Sequence, residues 1–156
     1  MKNRKGFAWA IVLALGISFA LQGNAAAATI TNVLVPSGYR FRVGDLVTLT
    51  DRVVLQGNDL PLNVTVRVTF FGRGVFNMWQ QTGYRDIQVY VRQGQGGSAL
   101  GNGTASIEFQ MPRWTLGRAY FYTEARVIAY HGVRPTPYPI SLKPNLQSNV
   151  VSVTVG

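Results

Sequence analysis

The segment "LNVTVRVTF" (Leu62–Phe70) alternates strictly between apolar and polar side chains. A β-strand turns successive side chains to opposite faces, so this period of two predicts a strand with one face in a core and the other in water. The same alternation returns in later segments, at 87–92, 104–111, 119–130 and 151–155. The chain is therefore predicted to be all-β.

Clusters of Gly, Pro, Asn and Asp separate these segments, as is typical of turns. Two further segments, rich in Val, Leu and Thr, complete a set of seven predicted strands. These strands are A 29–35, B 46–56, C 62–71, a fourth strand 85–93, E 103–111, F 118–130 and G 147–155. No long helix is predicted, although a short helical turn is expected near Phe76–Gln81. This pattern favours a single antiparallel β-sandwich.

The first 28 residues have the composition of a secretory signal peptide. Three basic residues precede an apolar run, Phe7–Leu21, and the alanines at 25–28 offer a cleavage site. An apolar run of 15 residues spans about 22 Å, short of the roughly 30 Å hydrocarbon core, so a retained anchor is less favoured. We expect residues 1–28 to be removed and residues 29–156 to form one exported domain, secreted, periplasmic or at the cell surface.

The chain is basic and has no cysteine, with 15 Lys and Arg against 6 Asp and Glu. Three basic residues belong to the signal segment, which leaves 12 against 6, a net charge of +6. The remaining arginines are spread singly, whereas nucleic-acid arms usually cluster them, so no nucleic-acid partner is predicted. An anionic envelope polymer, a glycan or a lipid head group is the expected counter-charge, and simple solubility is the alternative explanation.

Three segments carry a family resemblance: "VPSGYRFRVGDLVTLT" (35–50), "ASIEFQMPRWTLGRAYFYTEARV" (105–127) and "SNVVSVTV" (148–155). They resemble the A–B region, the E–F region and the closing strand of secreted bacterial and archaeal immunoglobulin-like domains. The resemblance implies a seven-stranded immunoglobulin-like β-sandwich in an extracellular setting, and it implies no activity. It also implies that Tyr120 is the corner tyrosine, although the Cys–Trp–Cys core of antibody domains is absent.

Residues that could support catalysis are few. His131 is the only histidine, and no serine lies in a Gly-x-Ser-x-Gly elbow. Glu108 and Glu124 would form a carboxylate pair if strands E and F were neighbours. Asp59 and Asp86 lack the Asp-x-Asp-x-Asp spacing of a calcium loop. The chain is therefore predicted to be non-catalytic, with no metal and no cofactor.

Strand F divides into a polar outer face and an inner face of mostly small side chains, namely Ala119, Phe121, Thr123, Ala125, Val127 and Ala129. Its outer residues are Tyr120, Tyr122, Glu124, Arg126, Ile128 and Tyr130. Tyr and Arg are enriched at interfaces because they combine contact area with hydrogen bonds, so this face is one predicted binding site. If strand C and the fourth strand join the same sheet, Arg67, Tyr90 and Arg92 extend it. The alternative is cross-strand Tyr–Arg packing on a solvated sheet.

The aromatic loop 74–84 is a second candidate site, since exposed planar rings are suited to sugars. Its predicted binding residues are Trp79 and Tyr84. The alternative is that Trp79 caps one end of the sandwich.

The favoured interpretation is an exported binding or structural module that recognises a surface polymer or a protein. One alternative is a subunit of a surface fibre or layer that adds the segment Thr29–Val35 to a neighbour's sheet. The other is an exported hydrolase that uses His131 or the pair Glu108 and Glu124.

Overall fold

The structure is a computed structural model that describes residues 29–58, 63–94, 98–131 and 146–156. The predicted signal segment and the candidate Asp59 lie outside the described residues. Strands make up most of the described chain, so the all-β prediction is confirmed.

Nine strands and one 3₁₀ turn follow in chain order. The strands are β1 (Thr29–Pro36), β2 (Arg40–Phe41), β3 (Leu46–Asn58), β4 (Asn63–Arg73), β5 (Gln80–Gln93), β6 (Ser98–Gln110), β7 (Gly117–His131), β8 (Leu146–Gln147) and β9 (Val151–Val155). The 3₁₀ turn, Arg113–Thr115, lies between β6 and β7.

The described strands form one hydrogen-bonded sheet in the order β1-β3-β6-β5-β4-β7-β9-β2, with β8 also paired to β7. All pairs are antiparallel except β2 with β9. The long strand β5 pairs with β4 along Gln80–Tyr90 and with β6 along Tyr90–Gln93. The sheet therefore curls, and it lays β1 and β3 over β7 across a shared core.

Two expectations about the fold are corrected here. The described chain has nine strands instead of the seven expected, because the short strands β2 and β8 are additional. The strands form one continuous curled sheet instead of two separate sheets, because β5 pairs with both β4 and β6. The helical turn expected near Phe76–Gln81 is wrong, since Gln80 already begins β5. Asn77 has a φ of 53°, and this left-handed conformation interrupts any helix there.

The core is built by the alternation that the sequence displays. Along β4 the residues from Val64 to Phe70 on the inner face are fully buried, while the intervening residues are half-buried. The inner face predicted for strand F is confirmed in β7, where Ala119, Phe121 and Ala125 are buried. Packing of these side chains removes apolar surface from water, which is the main stabilising term of such a fold.

One polar cluster interrupts the apolar core where β1, β3 and β7 meet. The Thr123 hydroxyl donates to Asp51 Oδ2 at 2.9 Å. Asn32 Nδ2 donates to Thr123 Oγ1 at 3.1 Å and to Asp51 Oδ2 at 3.3 Å. Asp51 Oδ1 and Asn32 Oδ1 are buried without a hydrogen-bond partner. Burial raises the pKa of Asp51, and the bonds from Thr123 and Asn32 only partly oppose that shift.

The side chain of Asn149 closes the outer edge of β1 at Leu34. The Leu34 amide donates to Asn149 Oδ1 at 2.8 Å, and Asn149 Nδ2 donates to the Leu34 carbonyl at 3.1 Å. A side-chain amide therefore takes the place of a neighbouring strand. This matters because unpaired strand edges invite pairing with other chains.

Candidate binding face

The outer surface of β4, β5 and β7, here named the Tyr/Arg face, brings most of the predicted binding residues onto one surface. These residues are Arg67, Tyr84, Tyr90, Arg92, Tyr120, Tyr122 and Arg126. The extended face required strand C and the fourth strand to share the sheet of strand F. They do share it, because β4 (strand C) pairs with both β5 (the fourth strand) and β7 (strand F). Tyr130 does not follow the row predicted for it. The register between β4 and β7 shifts between Thr65 and Val66, so the backbone of Tyr130 lies opposite the inner-face residue Val64.

An aromatic cluster occupies the end of the face nearest the loop 74–79. The ring of Trp79 meets the ring of Tyr122 edge-on, with centroids 4.5 Å apart. Phe71 stacks on Tyr122 at 4.9 Å. The Arg73 guanidinium lies 4.8 Å from the Trp79 ring centroid and 4.7 Å from that of Tyr120. The two sites predicted separately, the loop and the sheet face, are therefore contiguous.

Tyr122 supports this cluster from below. Its exposed fraction is 8%, because Phe71 and Trp79 cover it. Burial, reinforced by the nearby Glu124 carboxylate, raises the pKa of Tyr122. A ligand would therefore meet Trp79 and Tyr120, which are only half-buried, before it met Tyr122.

Sequence reasoning missed Phe71 and Arg73 as members of this cluster. A signal for Phe71 was available, since an apolar residue at an outward position of an alternating strand needs a covering partner. Arg73 gave no such signal, because its neighbours Trp79 and Tyr120 come from two other parts of the chain. Its guanidinium lies against these two rings, and its Nε is buried without a hydrogen-bond partner.

The middle of the face holds a salt bridge stacked on a ring. Arg67 binds Asp86 through two bonds of 2.8 Å, and its guanidinium lies 4.6 Å from the Tyr84 ring centroid. The hydrogen bond from Arg67 lowers the pKa of Asp86. Arg126 lies opposite Arg67 across β4 and β7. Asp86 neutralises Arg67, so the exposed Arg126 carries the accessible charge of this region.

The far end of the face lies where the sheet curls. Tyr90 is 65% exposed, and its hydroxyl donates to Gln88 Oε1 at 3.4 Å. Arg92 borders an open depression of about 420 Å³ that Gln56 and Leu100 also line. Ten steps along β4 separate this end from the aromatic cluster, which is about 33 Å at the usual rise of a strand. The predicted residues thus form a long strip instead of converging on one pocket.

Charge is distributed unevenly over the outer surface of the curled sheet. The outward positions of β2, β4, β5, β7 and β9 carry Arg40, Arg67, Arg73, Arg92, Arg118 and Arg126 against Asp86 and Glu124. The outward positions of β1, β3 and β6 carry Arg52 against Glu108. The outward positions of the layer that bears the Tyr/Arg face therefore sum to +4, and those of the other layer are neutral. Arg85 of β5, which lies opposite Val68 and is exposed, adds a further positive charge to the first layer.

The carboxylate pair proposed for catalysis does not form. β5 and β4 lie between β6 and β7, so Glu108 and Glu124 are on separated strands. Glu108 lies beside Thr48, whose hydroxyl donates to Glu108 Oε1 at 3.4 Å. His131 is the last residue of β7, opposite Asn63. The condition for this pair, that strands E and F are neighbours, is not met because the sheet order does not follow the chain order.

The described parts of the chain offer no metal site: in them, no group of three or more His, Cys, Asp and Glu side chains is placed to hold a metal ion. The same residues include no helix with the length and apolar character needed to cross a membrane.

Comparison with known proteins gives a distant likeness in structure alone. No protein-family model and no curated protein matches the chain. The chain is similar to the crystal structure of Spo0M, a sporulation control protein from Bacillus subtilis, at 12% identity and a TM-score of 0.39. The match covers 83% of this chain and 49% of Spo0M, so the chain spans about half of that protein. At this level the likeness carries no argument about function.

Proposed function

We propose that this chain is an exported, non-catalytic module of the cell envelope or extracellular space, and that it binds an anionic surface polymer along the Tyr/Arg face. The fold is proposed to be immunoglobulin-like in class, supported by the two layers that meet where Asn32 of β1 contacts Thr123 of β7. The signal-like residues 1–28 support export.

The single observation that carries the binding proposal is the charge difference between the two layers. One layer has six outward arginines and two carboxylates, while the other has one of each. Charge placed only for solubility would be spread over both layers. A surface of one sign concentrates a polymer of the opposite sign and accelerates its association.

The shape of the face suits an extended ligand. Its contact residues lie along a strip about 33 Å long at the rise of a strand, and they include half-buried rings that are already packed. Trp79 and Tyr120 are fixed by Arg73, so little side-chain freedom is lost when a ligand covers them. Acidic groups of a polymer would meet Arg126 and Arg92, and its repeating units would lie against the rings.

The test is binding of the chain to polygalacturonate as a defined acidic polysaccharide, with neutral dextran as the control polymer. Calorimetry at several salt concentrations should show affinity for polygalacturonate that falls as salt rises. The double variant Arg92→Gln, Arg126→Gln should weaken it about tenfold or more, as expected when charge-assisted contacts worth about 1.5–3 kcal/mol are lost. Arg52→Gln removes one charge from the neutral layer and should leave the affinity unchanged.

Equal weakening by Arg52→Gln and by the single variant Arg126→Gln would refute the assignment to this face. Binding that ignores salt would refute the electrostatic part. Failure to bind any acidic polymer would move the function to a protein partner.

The fibre alternative is less favoured by the packing of β1. Addition of the segment Thr29–Val35 to another sheet would break its pairing with β3 or displace Asn149 from Leu34. Sedimentation velocity separates the two proposals, because a fibre subunit would form species larger than a monomer as its concentration rises.

A further inference from the structure

The end of the fold that carries the loop 74–79 exposes an unusual amount of apolar surface. Three connections meet there, since Val75 N donates to the Trp114 carbonyl at 2.9 Å and Met111 N donates to the Asp45 carbonyl at 2.8 Å. The exposed apolar residues of this end, here named the apolar tip, are Leu46, Val75, Phe76, Met78 and Leu116. Phe76 is 71% exposed and Met78 is 66% exposed.

The loop of the apolar tip is held in this exposed form by its backbone. Asn77 N donates to the Gly74 carbonyl at 3.0 Å and closes a turn that presents Val75 and Phe76 outward. Gly74 packs so closely on the backbone of Trp114 that any side chain there would collide with it. The apolar side chains therefore cannot turn inward without breaking contacts that anchor the loop.

Basic residues surround the apolar tip. Arg42, Arg113 and Arg118 are all exposed at this end. Asp45, three residues after Arg42, accepts the backbone amide of Arg42 through Oδ2 at 2.7 Å. Exposed apolar side chains rimmed by cations match the chemistry of a membrane interface, where acyl chains lie beneath anionic head groups.

We infer that the apolar tip inserts into an anionic lipid surface, with Phe76 and Met78 among the acyl chains and Arg113 and Arg118 at the head groups. The apolar side chains of the tip are highly exposed and have cations beside them, which matches an anionic lipid layer that can deform around them. Trp114, whose carbonyl accepts from Val75 N, is half-buried next to this loop, and indole rings favour the membrane interface. This site adjoins the aromatic end of the Tyr/Arg face, since Met78 is followed by Trp79, and it leaves the far end of that face, at Tyr90 and Arg92, free to hold a polymer.

The absence of cysteine from the chain permits a local test. A single cysteine introduced by Phe76→Cys is labelled with an environment-sensitive fluorophore and mixed with vesicles of phosphatidylcholine containing phosphatidylglycerol. We expect emission to rise and shift to the blue, and brominated lipids to quench it. The matched control, Leu100→Cys, lies on β6 at another exposed site and should show neither change. Because the signal reports residue 76 itself, lipid binding by residues 1–28 cannot imitate it.

Two variant sets test the chemistry of the contact. Phe76→Ser with Met78→Ser should weaken vesicle binding about tenfold or more, because each buried apolar side chain contributes strongly to partition, while Val33→Ser should not. Arg113→Gln with Arg118→Gln should remove the preference for anionic vesicles.

If the emission of the fluorophore at residue 76 stays unchanged with every vesicle composition, the inference is overturned. Equal insertion into neutral vesicles would overturn the assignment to an anionic surface. A probe that changes with protein concentration in the absence of lipid would assign the tip to a second copy of the chain and would also overturn it.

Discussion

Replacing Asp51 by Asn should make the protein more stable at neutral pH. Asp51 is fully buried, its Oδ1 has no hydrogen-bond partner, and burial raises its pKa above the ordinary value of 3.8. The folded state therefore holds a proton on Asp51 more tightly than the unfolded state does. Its contribution to stability is complete below pH 3.8 and is lost as the pH rises through the raised pKa.

The magnitude follows from the group that is left unsatisfied. A buried polar group without a partner destabilises a fold by about 1–3 kcal/mol, and more if it is charged. The amide of Asn keeps an oxygen that can accept from Thr123 and Asn32. Its Nδ2 takes the place of the unpartnered Oδ1 and is itself a buried polar group, so the expected gain comes from removal of the buried charge. We expect Asp51→Asn to raise the free energy of unfolding by about 1–3 kcal/mol at pH 8, with the difference shrinking as the pH falls toward 4.

Urea unfolding of both proteins at intervals between pH 4 and pH 8 measures this difference. Asp86→Asn is the matched control, because Arg67 lowers the pKa of Asp86 below its ordinary value, so its small effect should stay nearly constant between pH 4 and pH 8. If Asp51→Asn is less stable at pH 8, or if its difference from the native chain is the same at every pH, the reasoning from burial is refuted.

Three further substitutions test the packing. Gly74→Ala should destabilise the fold by about 1–3 kcal/mol, the usual effect of overpacking, since its Cβ would strike the Trp114 backbone. The control is Gly83→Ala, whose Cβ would meet only Ile107 at 3.7 Å and should leave the thermal midpoint nearly unchanged. Equal thermal midpoints for the two variants would contradict this. Asn149→Ala should cost about 1–3 kcal/mol and speed hydrogen exchange of the Leu34 amide, so unaltered exchange would show that the contact is not formed. Arg67→Gln should leave the melting temperature within error, because its ion pair is solvent-exposed, and a clear loss would mean that the pair orders β4 and β5.

The alternation of side chains, with two segments rich in Val, Leu and Thr, was enough to predict seven of the nine described strands and most of their faces. In β4 and β7 it placed Val66, Phe70 and Phe121 in the core correctly, because burial on one face directly selects such a pattern. It also placed Thr123 inward, where the buried network with Asp51 is found.

The order of the strands could not be read from the same pattern. Periodicity reports which face a residue occupies, and it carries no information on which strand lies beside another. For this reason Glu108 and Glu124 were placed as possible neighbours although β5 and β4 separate their strands. The contact of Trp79 with Tyr122 was missed for the same reason, since it joins residues that are distant in sequence.

The contact between Leu34 and Asn149 has a consequence for how the chain reaches its folded state. It joins residues 115 positions apart. Contacts of such long range form slowly, because a long stretch of chain must be ordered before they are made. The edge of β1 is therefore closed only after the segment that carries Asn149 has folded back onto it. Until then this edge is open to pairing with another chain, so the time during which a folding molecule risks aggregation depends on one amide side chain far along the sequence.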